Sequence, residues 1–149
     1  MARPLVELIT ALRVTAERLR AGARYQWGHY GECNCGHLAR TLLGVDAAEL
    51  HRFGQQREGD WRSHAREYCD TSGYRIDHVI RQMLAAGLDL DDIIHLENLS
   101  DPRVLAALPG GPRYLARNDR EDAILYLESW AELLAAQAGF HARASGAAA

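Results

Sequence analysis

The segment PLVELITALRVTAERLR, residues 4–20, decides the fold class of this chain. Pro4 suits the first position of a helix, because the N–H group that proline lacks is not used there. Apolar residues then recur every three or four positions and define one buried side: Leu5, Leu8, Ile9, Leu12, Ala16 and Leu19. Gly22 can end the helix, since glycine readily adopts the left-handed cap conformation. The pattern predicts an amphipathic helix that begins at Pro4 and closes at Gly22.

Signals of the same kind continue along the chain, and no segment shows the two-residue alternation of a strand. Short helices are predicted over 36–43 and 47–53, and a helical turn or two over 61–68. Further helices are predicted from residue 76 to 86, after Asp89, from Pro102, and after Asn118 or Asp119. The sequence therefore predicts an all-α fold, a compact single domain (1–138) of about six to eight helices with a Gly/Cys/His-rich loop after the first. We expect the tail, 139–149, to be frayed or disordered.

The composition is typical of one globular domain: 149 residues, 48% hydrophobic and 25% charged. The net charge is −3 and the basic residues are interleaved with acids, so we expect no nucleic-acid binding. Every one of the 17 basic residues is an arginine. The absence of lysine excludes Schiff-base chemistry, a pyridoxal phosphate anchor and a phosphate-loop lysine.

The N-terminal segment enters the first helix directly, with no apolar core and cleavage site of a secretory signal. No stretch approaches the roughly 18 apolar residues of a membrane-spanning helix, so no membrane association is expected. Three cysteines are an odd number, which disfavours a complete disulfide framework. We therefore expect a cytoplasmic protein with reduced thiols. A protein partner or a homo-oligomer is compatible with the sequence, which specifies neither.

Chemistry is concentrated in one loop, YQWGHYGECNCGH at residues 25–37. It offers His29, Cys33, Cys35 and His37 within nine residues, and thiolate sulfur with imidazole nitrogen is the donor set of zinc sites. Cys69 lies 34 residues beyond Cys35, with a further histidine, His64, just before it. The preferred interpretation is a metal site formed by Cys33, Cys35 and Cys69 with one of His29, His37 or His64. Zinc is the expected metal, more structural than catalytic, and an iron–sulfur cluster is the second choice.

Two other interpretations use the thiols as reactive groups, so the sequence leaves open whether the protein is an enzyme. A thiol at Cys35 or Cys33, at the start of a helix, would have a lowered pKa and backbone N–H groups nearby for an oxyanion. Alternatively, Cys33 and Cys35 could form a strained, labile redox pair with Cys69 as the resolving thiol. If the cysteines only pack, the chain is a helical interaction module with no cofactor.

A local resemblance accompanies the nucleophile interpretation. Tyr25-x-Trp27-Gly28, followed after a short gap by Glu32-Cys33, resembles the motif around the nucleophile of NlpC-type cysteine peptidases. That family has Tyr-x-Trp-Gly-Gly and then Asp-Cys-Ser-Gly at a helix start, with strands that carry its catalytic histidine. The resemblance covers about fifteen residues. It implies a cysteine hydrolase, although His29 replaces the second glycine and helices are predicted where the strands would follow.

Overall fold

A computed structural model describes residues 1–139, and this part of the chain forms eight helices and no strand. The helices are α1 (Val6–Arg20), α2 (Asn34–Leu43), α3 (Ala47–Gly54), α4 (Trp61–Arg66), α5 (Arg75–Ala85), α6 (Leu90–Asn98), α7 (Pro102–Ala106) and α8 (Arg120–Gln137). The all-α prediction is confirmed. The predicted tail, except Gly139, lies outside the described residues. No helix in residues 1–139 combines the length and the apolar character needed to cross a membrane.

Aspartates begin four of the shorter helices, α3, α4, α6 and α7, and also the longest helix, α8. Asp46, Asp60, Asp89 and Asp119 each accept a hydrogen bond from the backbone N–H three residues ahead, and Asp101 accepts one from two residues ahead. Such caps satisfy N–H groups that have no partner inside the helix. They explain why short segments with little apolar repeat still form helices at the predicted places.

Helix α8 packs along α1 over the most extensive helix–helix interface of the described residues, and it also contacts α7. The predicted apolar face of α1 is buried, apart from Leu5, which is 38% exposed. Leu5 lies just before the helix, and its extended backbone turns the side chain off that face. In α8 the large side chains of Tyr126 and Trp130 are buried and meet edge to face at 6.0 Å between ring centroids.

Helix α2 occupies the middle of the remaining helices, in contact with α1, α3, α5 and α6. The loop before it folds tightly back onto it. A Cβ atom added to Gly36 would collide with the Tyr30 carbonyl, and one added to Gly54 would enter the Tyr30 ring. Glycine is therefore required at both positions by close approach. These contacts hold the Cys/His loop against α2 and α3.

Candidate functional site

A small cavity of about 40 Å³ lies where the loop, α4 and α6 meet. Four residue types that bind metals or transfer protons line it, together with two aromatic residues and two glycines: Gly28, His29, Tyr30, Cys33, Gly59, Asp60, Trp61 and Glu97. A cavity of this size holds one or two water molecules or a single ion. It is far smaller than the roughly 300–1,000 Å³ of pockets for organic ligands.

Cys33 is placed in this cavity by the start of α2. The helix begins at Asn34, two residues earlier than predicted, and Cys33 is its N-cap. The Cys33 sulfur accepts a hydrogen bond from the Gly36 N–H at 3.4 Å. Backbone N–H groups of a helix start stabilise negative charge, so this sulfur occupies a position suited to a thiolate.

Glu97 approaches the start of α2 from α6, and it lies 62 residues beyond Cys35 in the sequence. Its Oε2 accepts a hydrogen bond from the Cys35 N–H at 3.2 Å, and the side chain is buried. The ion pairs formed among residues 1–139 leave Glu97 out. Burial therefore raises the pKa of this carboxyl, although hydrogen bonds from the Cys35 N–H and from the Cys35 and Cys33 thiols oppose the rise. The first turn of α2 thus supplies donors to a thiol and a carboxylate that have no cation between them.

Both thiols of the loop are buried, and burial raises the pKa of each well above its ordinary value. The charge of Glu97 raises them further. Cys35 also donates to the Ile93 carbonyl, with 3.1 Å between sulfur and oxygen. The expectation of a lowered thiol pKa at the helix start is therefore wrong, because desolvation outweighs the helix dipole here.

A belt of polar contacts fixes the loop to the end of α6 and to the segment before α8. The Asn34 side-chain amide donates to the backbone carbonyls of Glu97 and Arg117, at 3.0 and 3.1 Å. The Tyr25 hydroxyl lies 2.5 Å from Asn34 Oδ1 and from the Arg117 carbonyl. Trp27 donates its indole N–H to the Glu97 carbonyl and lies under the Arg117 guanidinium, 3.9 Å from ring centroid to Cζ. The side chains of Asn34, Tyr25 and Trp27 thus fix the position of the loop through their own contacts, which do not involve the Cys33 or Cys35 thiols.

Two of the three predicted histidine ligands are committed elsewhere. His37 is buried, and its Nε2 donates to the Arg24 carbonyl at 2.7 Å. His64 is also buried, and its Nε2 lies 2.9 Å from the Glu58 carbonyl while Nδ1 lies 3.2 Å from the Tyr30 hydroxyl. Because both ring nitrogens have protein partners, His64 links the loop at Tyr30 to the segment at Glu58.

His29 alone of the three lines the Cys33 cavity. Its Nδ1 accepts the Gly31 N–H at 3.1 Å, which leaves Nε2 for a ligand. The ring stacks on His51 of α3, with centroids 3.9 Å apart and planes 14° from parallel. Burial and the neighbouring His51 lower the pKa of His29, so its imidazole is kept in the neutral form that metals require.

The structure does not bring Cys69 to the cavity that Cys33 lines. It is exposed in the loop after α4, and its thiol lies 3.4 Å from the Thr71 hydroxyl, which lowers its pKa. It lines a separate open groove of about 850 Å³ between the α2–α3 region and α5. No residue of that groove lines the Cys33 cavity.

Sequence reasoning missed Glu97, the residue that completes the cluster. Glu97 lies one turn after Ile93 and beside Leu96, so it falls on the apolar side of α6. A carboxylate on a helix face that packs into the core is a sign of a paired or functional group. That irregularity was the available signal, but only the tertiary structure shows which residues Glu97 meets.

As the side chains stand, no three His, Cys, Asp or Glu residues in the described part of the chain are arranged to hold a metal ion. All three cysteines are free thiols. Comparison of the chain with models of protein families, with curated proteins and with solved structures gave no match. The resemblance to NlpC-type peptidases gains no support, and residues 1–139 lack the strands that carry that family's histidine. The function must therefore be inferred from the cluster itself.

Proposed function

We propose that the protein binds one thiophilic divalent metal ion, with zinc favoured, through Cys33, Cys35 and Glu97. The observation that carries this proposal is a buried cluster of two thiols and a carboxylate with no cationic partner. The sequence-based ligand set changes accordingly. Glu97 takes the place that Cys69 was expected to fill, and His29 or a water molecule is the fourth ligand.

Without a metal, burial of this cluster carries a free-energy cost. A buried, unpaired carboxylate is expensive, and so the pKa values of Glu97 and both thiols are raised. A divalent cation stabilises all three deprotonated groups at once. Zinc accepts thiolate, carboxylate and imidazole in tetrahedral sites. Its two charges offset most of the three negative charges, and the N–H groups of Cys35 and Gly36 stabilise the remainder.

The size of the cavity favours an ion over an organic substrate. About 40 Å³ beside Cys33 admits an ion with a water molecule, whereas a peptide or carbonyl substrate needs several times that space. The raised thiol pKa values likewise disfavour a nucleophile waiting for substrate. An iron–sulfur cluster commonly needs four cysteines, whereas the proposed ligand set has two and Cys69 lies in a different groove.

Metal loading has two structural requirements. The Cys35 side chain turns away from the Ile93 carbonyl, and both thiols lose their protons. Metal affinity therefore rises with pH, because protons compete with the ion for the sulfur atoms. The metal would join the start of α2 to α6, and its role is to stabilise this junction.

The test is a titration of the reduced, metal-free protein with Co²⁺, which absorbs strongly in the near ultraviolet when bound to thiolate. We expect about one equivalent per chain, displaced by zinc. Cys33→Ser and Cys35→Ser should each lower affinity by more than the roughly 10- to 100-fold typical of outer-shell changes. Glu97→Gln should weaken binding while the thiolate absorption remains. Cys69→Ser is the matched control and should bind normally.

Circular dichroism of each metal-free variant separates loss of a ligand from loss of the fold. Saturating zinc should also raise the melting temperature of the wild type and the Cys69→Ser variant, because the ion binds only the folded chain. The proposal is overturned if the folded wild-type protein binds no Co²⁺ and, after unfolding in denaturant, shows three free thiols, so that oxidation does not explain the result. It is also overturned if the Cys69→Ser variant loses the metal while the Cys33→Ser variant keeps it.

A further inference from the structure

The open groove of about 850 Å³ beside α5 has the dimensions of a site for an organic ligand. Such sites span roughly 300–1,000 Å³, whereas the cavity at Cys33 measures about 40 Å³. On the α2–α3 side the groove is lined mainly by half-buried apolar side chains: Leu42, Leu43, Val45 and Phe53. On the other side α5 contributes polar residues between Tyr74 and Gln82. Apolar surface with a few polar groups is the usual lining of a ligand site.

Arg75 enters this groove from the start of α5 with its side-chain donors unused. Its guanidinium lies over the Phe53 ring, with 5.4 Å between Cζ and the ring centroid. Stacking of this kind uses the flat face of the guanidinium and leaves its N–H edges free. Arg75 joins no ion pair formed among residues 1–139, and its side chain donates no hydrogen bond to them. Its edge is therefore available to both oxygens of a ligand carboxylate.

A carboxylate of the opposite charge lines the same groove one helical turn from that ring. Glu49 precedes Phe53 by four residues in α3, so the two side chains are neighbours on one face of the helix. Glu49 is half-buried and, in the part of the chain that the structure describes, belongs to no ion pair. A free guanidinium and a free carboxylate thus border the Phe53 ring without neutralising each other.

The other charged groups of the groove are engaged differently. Asp77 is 2% exposed and is paired with Arg57, at 3.3 Å. Arg81 donates to the Asp70 carbonyl at 2.6 Å, and its Nη2 lies 3.1 Å from His78 Nδ1, so it fixes the loop after α4 against α5. The Asp70 side chain is exposed to solvent in that loop. The free charges that border the apolar lining are therefore those of the α3 glutamate and the first α5 arginine.

We infer that the groove binds a short peptide with apolar side chains and free ends. The peptide carboxylate binds the edge of Arg75, and its ammonium group binds Glu49. Its side chains pack on Leu42, Leu43 and Val45. A zwitterion is favoured over a simple anion, because an anion leaves the Glu49 carboxylate unpaired beside it. A peptide is favoured over one amino acid because the groove has room for several residues.

The first experiment is calorimetric titration of the reduced, metal-free protein with leucyl-leucine, which carries both charges and two apolar side chains. We expect one dipeptide per chain. Cys69 supplies a second measurement, because it is exposed and lines the same groove. A saturating concentration of the dipeptide should slow alkylation of Cys69 by iodoacetamide. Leucine has the same two charges and half the apolar surface, and it should bind more weakly.

Variants and blocked dipeptides assign the two ends. Arg75→Gln and Glu49→Gln should each weaken leucyl-leucine binding by about 10-fold, because each removes a charged hydrogen-bonding partner. Arg75→Gln should not weaken binding of leucyl-leucine amide, and Glu49→Gln should not weaken binding of N-acetyl-leucyl-leucine. Arg66→Gln and Glu7→Gln are the matched controls, since they remove the same charges from exposed positions outside the groove. Both should bind normally.

Circular dichroism establishes that each variant is folded before its affinity is compared. The inference is independent of the proposed metal site, because the two share no residue. It is overturned if the folded wild type gives no binding heat and Cys69 is alkylated equally fast with and without the dipeptide. Equal affinity for leucine and leucyl-leucine overturns it as well. So does an Arg75→Gln variant that weakens binding of the free and amidated dipeptides alike.

Discussion

Replacing His37 with a residue that does not titrate should make the free energy of unfolding less dependent on pH below pH 7. Burial, with the charges of Arg40 and Arg18, lowers the pKa of His37 from 6.5 to about 4, against the opposing hydrogen bond to the Arg24 carbonyl. The unfolded chain therefore takes up a proton near pH 6.5, and the folded chain does so only near pH 4. Stability from this neutral, buried imidazole is complete above pH 6.5 and is lost as pH falls toward 4.

The size of the effect follows from the shift. At about 1.4 kcal/mol per pKa unit, the full loss is about 3 kcal/mol. Integration from pH 7 to pH 5 gives about 2 kcal/mol, a large part of the stability of a domain this size. Other histidines with lowered pKa values, such as His64, act in the same direction, so the contribution of His37 must be isolated by a variant.

The assay is urea denaturation of metal-free wild type and His37→Gln between about pH 4 and pH 8. Glutamine can still donate to the Arg24 carbonyl but does not titrate. The wild type should lose about 2 kcal/mol more than the variant between pH 7 and pH 5. An NMR titration should place the His37 pKa well below 6.5. Equal losses in the two proteins, or a His37 pKa near 6.5, would refute the reasoning.

Three further predictions address the loop and the thiols. In native metal-free protein a thiol reagent should modify Cys69 first, because Cys33 and Cys35 are buried and have raised pKa values; equal rates for all three would contradict this. Gly36→Ala should destabilise the fold by about 1–3 kcal/mol in thermal or urea unfolding, because the new methyl group meets a backbone carbonyl. A neutral or stabilising result would show that the loop can move away. Asn34→Ala should cost about 1–2 kcal/mol, because it removes two hydrogen bonds while Trp27 and Tyr25 still donate to the same two carbonyls; a loss under about 0.5 kcal/mol would mean that water replaces the amide.

The helical architecture could be predicted closely from the sequence because its signals are local. The apolar repeat of α1, the aspartate caps of α3 and α4, and the glycine after α2 each act within a few residues. Helix formation depends on interactions over one or two turns, so such patterns suffice. The start of α2 was misplaced by two residues because a cysteine cap is not among the common capping residues.

Local sequence patterns could not predict which residues come together in the candidate site. Cys33 and Cys35 stand out by their spacing, but their partner Glu97 is 62 residues beyond Cys35, on a helix whose sequence does not say which residues that carboxylate meets. The predicted ligand Cys69 looked equivalent to the other cysteines, and tertiary packing left it exposed in a different groove. Sequence spacing does not say which distant helix faces which.

The sequence by itself determined that the chain is helical, where its helices lie to within about two residues, and that one loop carries most of its reactive groups. The tertiary structure decided the properties of those groups. Burial raised the thiol pKa values at Cys33 and Cys35, and the packing of α6 on α2 placed a carboxylate beside them. The physical reason is that helix propensity and capping are short-range, whereas desolvation and charge pairing depend on which distant surfaces meet.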